Sequence, residues 1–193
     1  MALVIDRFDL RMDGTCRGFE DFCVLNARRT DANYQGSYET SVMKRFGQLA
    51  NSTHVCEDLE KLFTLIALNC ALRNGDAHLK NFGIVYDDVQ GEVRLAPVCD
   101  LVTTSVYLAK DGLALTLNSA TKWPTGKELR KLGETRASIT PSKITTILER
   151  IDESIQEIAR EVNTYAKEQL EFAEIGRRLQ QVWATGSATS LRG

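Results

Sequence analysis

The strongest hydrophobic pattern in the chain lies between residues 56 and 73. Apolar side chains recur there at intervals of three and four, which is typical of a helix with one buried face. Asn74 and Gly75 follow, and a glycine readily takes the left-handed conformation that ends many helices. The sequence therefore predicts a helix that stops at this pair. The stripe consists of Leu59, Leu62, Phe63, Ile66 and Cys70.

A second helical pattern covers residues 141–183, after a capping threonine and a first-turn proline at Thr140 and Pro141. Its length favours two packed helices over one continuous helix. Residues 186–193 are small and polar, so we predict a frayed, disordered tail beyond a folded unit of residues 1–185.

Strand patterns are shorter and more scattered than the helical ones. Asp13-Gly14 marks a turn after the first of them, and helical spacing covers residues 19–26 and 38–50. The fold class expected from these patterns is α+β and predominantly α-helical, with a helical C-terminal half. The predicted strands are residues 2–8, 82–86, 92–96 and 113–117.

Composition and charge indicate an ordinary globular domain. The chain has 193 residues, is 43% hydrophobic and carries 24 basic against 26 acidic residues. That balance disfavours a surface built to hold DNA or an anionic membrane, so we expect no membrane association. Five scattered cysteines and two histidines do not form a zinc motif. We expect a reduced protein of the cytoplasm.

The segment from Asn74 to Phe82 carries the most specific chemistry. Asp76 is followed five residues later by Asn81. The same spacing separates the base aspartate from the metal-binding asparagine in the catalytic loop of protein kinases. Phosphoryl transfer needs a carboxylate that accepts the proton of the attacking hydroxyl, and oxygen ligands that hold Mg²⁺ on the phosphates.

A further carboxylate, Asp100, follows the second predicted strand after this loop. A kinase places its second metal-binding aspartate at the corresponding point, after a hairpin. The Phe and Gly of the usual Asp-Phe-Gly motif are absent here.

These residues resemble a known family. Asn-Gly-Asp-Ala-His-Leu-Lys-Asn-Phe, together with Leu-Ala-Pro-Val-Cys-Asp-Leu further on, is similar to the HipA-like serine/threonine kinases, the toxins of bacterial toxin–antitoxin pairs. Residues 3–9 look like that family's hinge strand, which lies against the adenine of ATP. The resemblance covers nearly the whole chain and implies the carboxy-terminal lobe of a kinase.

By resemblance, Asp76 is the catalytic base, and Asn81 and Asp100 bind Mg²⁺. Lys80 or His78 supplies positive charge at the transferred phosphate, and Lys80 is the better candidate because histidine is mostly neutral at neutral pH. The hinge residues Asp6, Arg7, Phe8 and Asp9 meet the nucleotide, with Asp9 near the ribose. The implied cofactors are ATP and Mg²⁺.

The resemblance also implies partners. These are a small helix-turn-helix antitoxin of the HipB type, through which any DNA contact is made, and a protein substrate such as an aminoacyl-tRNA synthetase. No Gly-x-Gly-x-x-Gly motif occurs, and no strand with a phosphate-binding lysine precedes residue 6. We therefore expect a truncated kinase, or one half of a split kinase whose N-terminal lobe is a separate chain.

Three functions remain open from the sequence. The first is a HipA-type kinase lobe that is active only when it is complemented. The second is a non-catalytic remnant that docks an antitoxin or another protein. The third is an unrelated helical enzyme in which Asp76, Asn81 and Asp100 bind a metal for hydrolysis.

Overall fold

The computed structural model describes residues 6–51, 53–108 and 111–193. Helices dominate, and a small sheet lies beside them, which confirms the predicted fold class. A wide (π-type) helical segment, Tyr38–Lys44, runs directly into α2. Within the described residues, no helix is both long and apolar enough to cross a membrane. The helices are α1 (Phe22–Leu25), α2 (Arg45–Leu49), α3 (Val55–Leu72), α4 (Gly126–Arg136), α5 (Pro141–Glu168) and α6 (Ala173–Gly186).

The sheet contains three antiparallel strands in the order β1 (Gly18–Asp21), β2 (Gly83–Tyr86) and β3 (Val93–Leu95). The predicted strands at 82–86 and 92–96 are confirmed. The predicted helix at 19–26 is wrong in its first half, which forms β1 and leaves only α1 helical. Asp21 causes this switch, because its carboxylate accepts hydrogen bonds from the Cys23 and Val24 amides (2.8 and 2.9 Å) and caps α1.

The predicted strand at 113–117 is also absent. That segment is an irregular stretch with isolated bridges from Thr116 to Ser37 and from Leu117 to Ala120. Its alternating leucines are nevertheless buried, with Leu115 completely inaccessible. The alternation of leucines therefore predicts correctly which side chains are buried, but the segment does not form the continuous hydrogen bonds of a strand.

Helix α3 is the centre of the core and places the loop that follows it. Leu62, Phe63 and Ile66 are completely buried, as the stripe predicts. The helix ends at Leu72, one residue earlier than predicted, because Arg73 itself takes the left-handed conformation (φ 58°). A non-glycine residue in this region carries a cost of about 1 kcal/mol, so the surrounding packing holds it there.

The C-terminal half contains two helices, α5 and α6, as predicted, with a break at the extended residue Gln169. The prediction of a frayed tail is wrong. Residues 187–191 continue as a wide helical turn, and Ser190 and Leu191 are buried. The small side chains allow close approach to α3, since a Cβ on Gly186 would lie 1.9 Å from the Ala71 carbonyl oxygen.

The predicted hinge strand at 2–9 is only partly described. Residues 2–5 lie outside the described residues, and residues 6–9 form a turn rather than a strand. The turn arises because the Arg7 guanidinium pairs with the carboxylate of Asp9. The Leu10 amide also bonds back to the Arg7 carbonyl (3.5 Å).

Candidate active site

Asn74 anchors the loop that follows α3. It is almost completely buried, and its side-chain oxygen accepts the Asp76 amide hydrogen (3.1 Å). Its side-chain nitrogen donates to the Asn69 side-chain oxygen (2.7 Å) and to the Asp100 carbonyl (3.2 Å). One buried amide therefore ties together the end of α3, the loop and the segment after β3. Sequence reasoning missed this role, since only the position of Asn74 beside a glycine was apparent.

Asn81 and Asp100 are brought into direct contact. The Asn81 side-chain nitrogen donates to a carboxylate oxygen of Asp100 over 2.7 Å, and the Asn81 side-chain oxygen accepts the His78 amide hydrogen over 2.9 Å. Asp100 is exposed and has a left-handed backbone (φ 54°). Strained aspartates of this kind persist where the neighbouring structure fixes them, often at functional sites.

Asp76 has a partner that the sequence did not indicate. The hydroxyl of Tyr34, 42 residues earlier, donates a hydrogen bond to the Asp76 carboxylate. This bond, together with partial burial and the charges of Asp76, Asp111 and Asp100, raises the pKa of Tyr34 to about 12. Tyr34 is therefore a neutral donor at physiological pH, and Asp76 is its acceptor.

His78 and Lys80 differ in their surroundings. The ring of His78 packs edge-on against Tyr34, with centroids 4.9 Å apart. Its Nδ1 is buried and has no hydrogen-bond partner among the described residues. Lys80 lies in the short 3₁₀ turn Leu79–Asn81 and is exposed. The lysine is therefore free to reach a bound anion, whereas the histidine is held by packing.

A support that sequence reasoning missed lies beneath the loop. The Thr104 hydroxyl oxygen accepts the Gly75 amide hydrogen (2.7 Å), and the Thr104 hydroxyl donates to the Asp111 carboxylate. A Cβ on Gly75 would lie 2.2 Å from both Asp111 oxygens. Gly75 is therefore required by close packing against Asp111, whereas the left-handed helix end is supplied by Arg73.

The hinge candidates lie against the sheet. Phe8 packs edge-on against Phe19 of β1, with ring centroids 5.5 Å apart. Within the described residues, no hydrogen bond or ion pair joins Asp6, Arg7, Phe8 or Asp9 to residues 74–82. The link between the two regions is the sheet itself, in which Asp21 pairs with Gly83 immediately after the loop.

The oxygen donors fit a magnesium ion better than a transition metal. In the described part of the chain, no three His, Cys, Asp or Glu side chains form a metal-binding cluster. Asp100 carries a carboxylate, and Asn81 carries an amide oxygen that accepts the His78 amide hydrogen while its nitrogen contacts Asp100. Mg²⁺ is characteristically held by one or two such oxygens and completed by substrate phosphates and water.

A helix, a short loop, a hairpin and an aspartate in this arrangement form the C-terminal lobe of a kinase-like fold. The HipA-like C-terminal domain profile matches residues 1–166. The chain therefore belongs to the HipA-like C-terminal domain family.

Relatives agree with this assignment. A protein named "Putative kinase Y4mE" from Sinorhizobium fredii (strain NBRC 101917 / NGR234) is 34% identical over 110 residues, which cover 54% of this chain and 26% of the relative. "Putative kinase Y4dM" from the same strain is 29% identical over 122 residues, 63% of this chain and 28% of the relative. The chain thus matches about a quarter of the length of these relatives.

A solved structure shares the fold. HipA of Shewanella oneidensis MR-1, determined in a complex with HipB and operator DNA, superposes with a TM-score of 0.67 and 18% identity. The match covers 95% of this chain and 47% of the HipA chain. At this identity the likeness establishes the fold alone.

Proposed function

We propose that this chain is the catalytic lobe of a HipA-type serine/threonine protein kinase, which transfers the γ-phosphoryl group of ATP to a protein hydroxyl. The observation that carries the proposal is the contact between the side chains of Asn81 and Asp100 (2.7 Å), placed on the same loop system as Asp76. A base and two metal ligands on one scaffold are what phosphoryl transfer requires.

Asp76 acts as the base in this proposal. The hydroxyl oxygen of the substrate forms a bond to the γ-phosphorus, and the bond from that phosphorus to the bridging oxygen breaks. The electron pair leaves with ADP, and the hydroxyl proton passes to the Asp76 carboxylate. The Tyr34 hydroxyl occupies an Asp76 oxygen, so the substrate hydroxyl either takes its place or uses the other oxygen.

Asn81 and Asp100 hold the metal in this proposal. Among the described residues the Asn81 oxygen accepts one hydrogen bond, from the His78 amide, which leaves a lone pair for a cation. Bound Mg²⁺ would neutralise charge on the phosphate oxygens of ATP. Exposed Lys80 adds a point charge for the same phosphates, and His78 orients the loop through its backbone and its packing on Tyr34.

The nucleotide base is assigned to residues 6–9, with Asp9 toward the ribose. This assignment is supported by where residues 6–9 lie. Phe8 packs on β1, and β1 pairs with β2, the strand that begins directly after the catalytic loop. The family comparison supports ATP as the phosphoryl donor.

Partners are proposed from the solved relative, which is bound to HipB and operator DNA. We assign to this protein a helix-turn-helix antitoxin of the HipB type, DNA contact through that antitoxin, and action on a cytoplasmic protein such as an aminoacyl-tRNA synthetase. The remaining contacts to the phosphates come from an N-terminal lobe, carried on the same chain or on a separate one.

The proposal is tested by following radiolabelled phosphate from ATP onto protein in the presence of Mg²⁺. The chain is assayed alone and with a HipA-type N-terminal lobe whose association is verified by gel filtration. We expect Asp76→Asn to reduce transfer by about 10²-fold or more, whereas Asp88→Asn, which changes an exposed turn carboxylate, leaves it unchanged. If the associated lobes transfer no phosphate with either aspartate or asparagine at position 76, the chain is a protein-binding module instead.

A further inference from the structure

A pocket on the far side of Arg73 is not used by the proposed reaction. It has a volume of about 410 Å³ and lies between the start of the loop and helix α6. Two arginines line it, Arg73 at the end of α3 and Arg178 in α6. The lining residues that matter here are Arg73, Ser105, Asp111, Trp123, Arg178 and Gln181.

Arg73 is an unusual group to find at such a position. It is only 5% exposed, and its guanidinium packs over the ring of Trp123 at 4.8 Å from the centroid. One terminal nitrogen donates to the Thr185 carbonyl (3.3 Å). The other terminal nitrogen is buried and has no acceptor among residues 6–51, 53–108 and 111–193.

The charge of Arg73 is also uncompensated in the described residues, where no carboxylate lies within ion-pair distance of it. Burial lowers its pKa, but an arginine remains protonated at physiological pH. A buried cation without a counter-ion is costly, and proteins normally provide it with an anion.

Arg178 adds a second guanidinium to the same pocket. One of its nitrogens donates to the Val106 carbonyl, and within the described part of the chain it makes no ion pair. Asp111 also lines the pocket, but its oxygens accept hydrogen bonds from the Thr104 hydroxyl and the Gly112 amide. In the described part of the chain, Asp111 forms no ion pair with either arginine.

We infer that this pocket binds the phosphate group of a small ligand, either free phosphate or a phosphate monoester. Two guanidinium groups provide forked donors that match phosphate oxygens. The Ser105 hydroxyl and the Gln181 amide line the same space, and Trp123 forms an apolar wall that suits the organic part of a monoester.

Hydrogen bonds connect this phosphate site to the catalytic loop. The carbonyl of Arg73 accepts hydrogen bonds from the Ser105 amide (3.3 Å) and the Ser105 hydroxyl (3.2 Å), and the hydroxyl oxygen of Thr104, whose proton is donated to Asp111, lies 3.2 Å from the same carbonyl. Thr104 in turn accepts the amide hydrogen of Gly75, the residue before Asp76. An anion on Arg73 therefore stabilises the backbone that positions Asp76.

The test uses calorimetric titration of the chain with inorganic phosphate and, separately, with β-glycerophosphate. We expect saturable binding, weakened by about tenfold or more in Arg178→Gln. The matched control is Arg177→Gln, which removes an exposed guanidinium that already pairs with Glu174, and it should bind as the wild type does. Lys80→Ala removes the other candidate phosphate contact and should also leave this binding intact.

The two ligands distinguish the sources of the phosphate. Tighter binding of β-glycerophosphate identifies a monoester pocket, and equal or weaker binding identifies a site for free phosphate. Arg73→Gln is a second variant and is read only if its circular dichroism spectrum matches that of the wild type. Absence of saturable binding to the wild type, or equal binding by Arg178→Gln, would overturn the inference. None of these readouts depends on kinase activity.

Discussion

Asn81 donates a hydrogen bond to Asp100 across 2.7 Å, although 19 residues and a β-hairpin separate them in the chain. The hairpin of β2 and β3 turns the chain back so that the residue after the sheet meets the residue before it. The separation of the two residues along the chain is thus a consequence of the length of this hairpin.

The first prediction concerns this pair as a magnesium site. Asp100→Asn removes the only full negative charge in the pair, so we expect binding of Mg²⁺ in the presence of ATP to weaken by about tenfold or more. Isothermal titration of the chain, with its N-terminal lobe where one is required, measures the change. Asp88→Asn is the control, since this exposed carboxylate lies in the β2–β3 turn. Identical magnesium affinity in wild type and Asp100→Asn would contradict the assignment.

The second prediction concerns the hydrogen bond from Tyr34 to Asp76. The carboxylate raises the pKa of Tyr34 to about 12, mainly through this bond. A tyrosine whose pKa is raised on folding stabilises the protein fully below its unfolded pKa of about 10, and this contribution disappears as pH rises through the folded value. The stability difference between wild type and Tyr34→Phe should therefore be constant up to about pH 10 and then shrink.

Urea unfolding of the two proteins across that alkaline range measures this difference. Absorbance of the tyrosine phenolates during an alkaline pH titration gives a second measurement. Tyr34→Phe should remove the one tyrosine whose pKa is raised to about 12 by Asp76. Tyr107→Phe is a suitable control, since Tyr107 is 71% exposed. A difference between wild type and Tyr34→Phe that persists unchanged above the folded pKa would show that the hydrogen bond is absent in solution.

The residues of the loop itself could be predicted from the sequence, whereas the contacts that distant segments make with the loop could not. Asp76 and Asn81 lie in one loop whose spacing is visible by inspection, and Asp100 follows a recognisable hairpin. Tyr34 and Asp111 come from distant segments, and their contacts with the loop depend on how those segments pack. No periodicity or spacing encodes such contacts, so they appear only when the chain is folded.

The errors in predicted structure have a similar origin. Residues 19–26 have helical spacing, but the Asp21 side chain caps a helix that begins after it and leaves the preceding residues free to pair with β2. Gly186 and Ser190 are small, which suggested a disordered tail. The same smallness allows them to lie against α3 and the Pro124 carbonyl. Composition alone cannot distinguish a loose segment from a tightly packed one.

The third prediction tests the ion pair that joins α3 to β3. Asp58 is 1% exposed and accepts hydrogen bonds from the Arg94 guanidinium (2.7 and 2.9 Å) and the Leu95 amide (3.1 Å). Burial opposes its ionisation, but these hydrogen bonds outweigh that effect and hold the pKa of Asp58 below its ordinary value. Asp58→Asn should reduce the free energy of unfolding at neutral pH by about 2–4 kcal/mol.

The pH dependence of that loss follows from the lowered pKa. The contribution of Asp58 is present above its unfolded pKa of about 4 and is lost as pH falls from there through the lower folded value, so the deficit of Asp58→Asn should begin to shrink only below about pH 4. Urea unfolding at neutral and acidic pH measures both limits. The adjacent Glu57→Gln is the control and should change stability little, because Glu57 is exposed and its ion pairs are solvated. A deficit in Asp58→Asn that stays constant into acid would assign the effect to packing alone.

The last prediction compares two glycines that both lie in helices. A Cβ at Gly186 would meet the Ala71 carbonyl oxygen at 1.9 Å, whereas a Cβ at Gly47 in α2 has no atom within 4 Å. Gly186→Ala must push α6 away from α3, and we expect a loss of about 1–3 kcal/mol in the free energy of unfolding. Gly47→Ala adds only helix propensity and should stabilise the protein by about 0.4–1 kcal/mol. Thermal and urea unfolding of the two variants distinguish close packing of the C-terminal segment from a loose tail, because a loose tail would tolerate both substitutions equally.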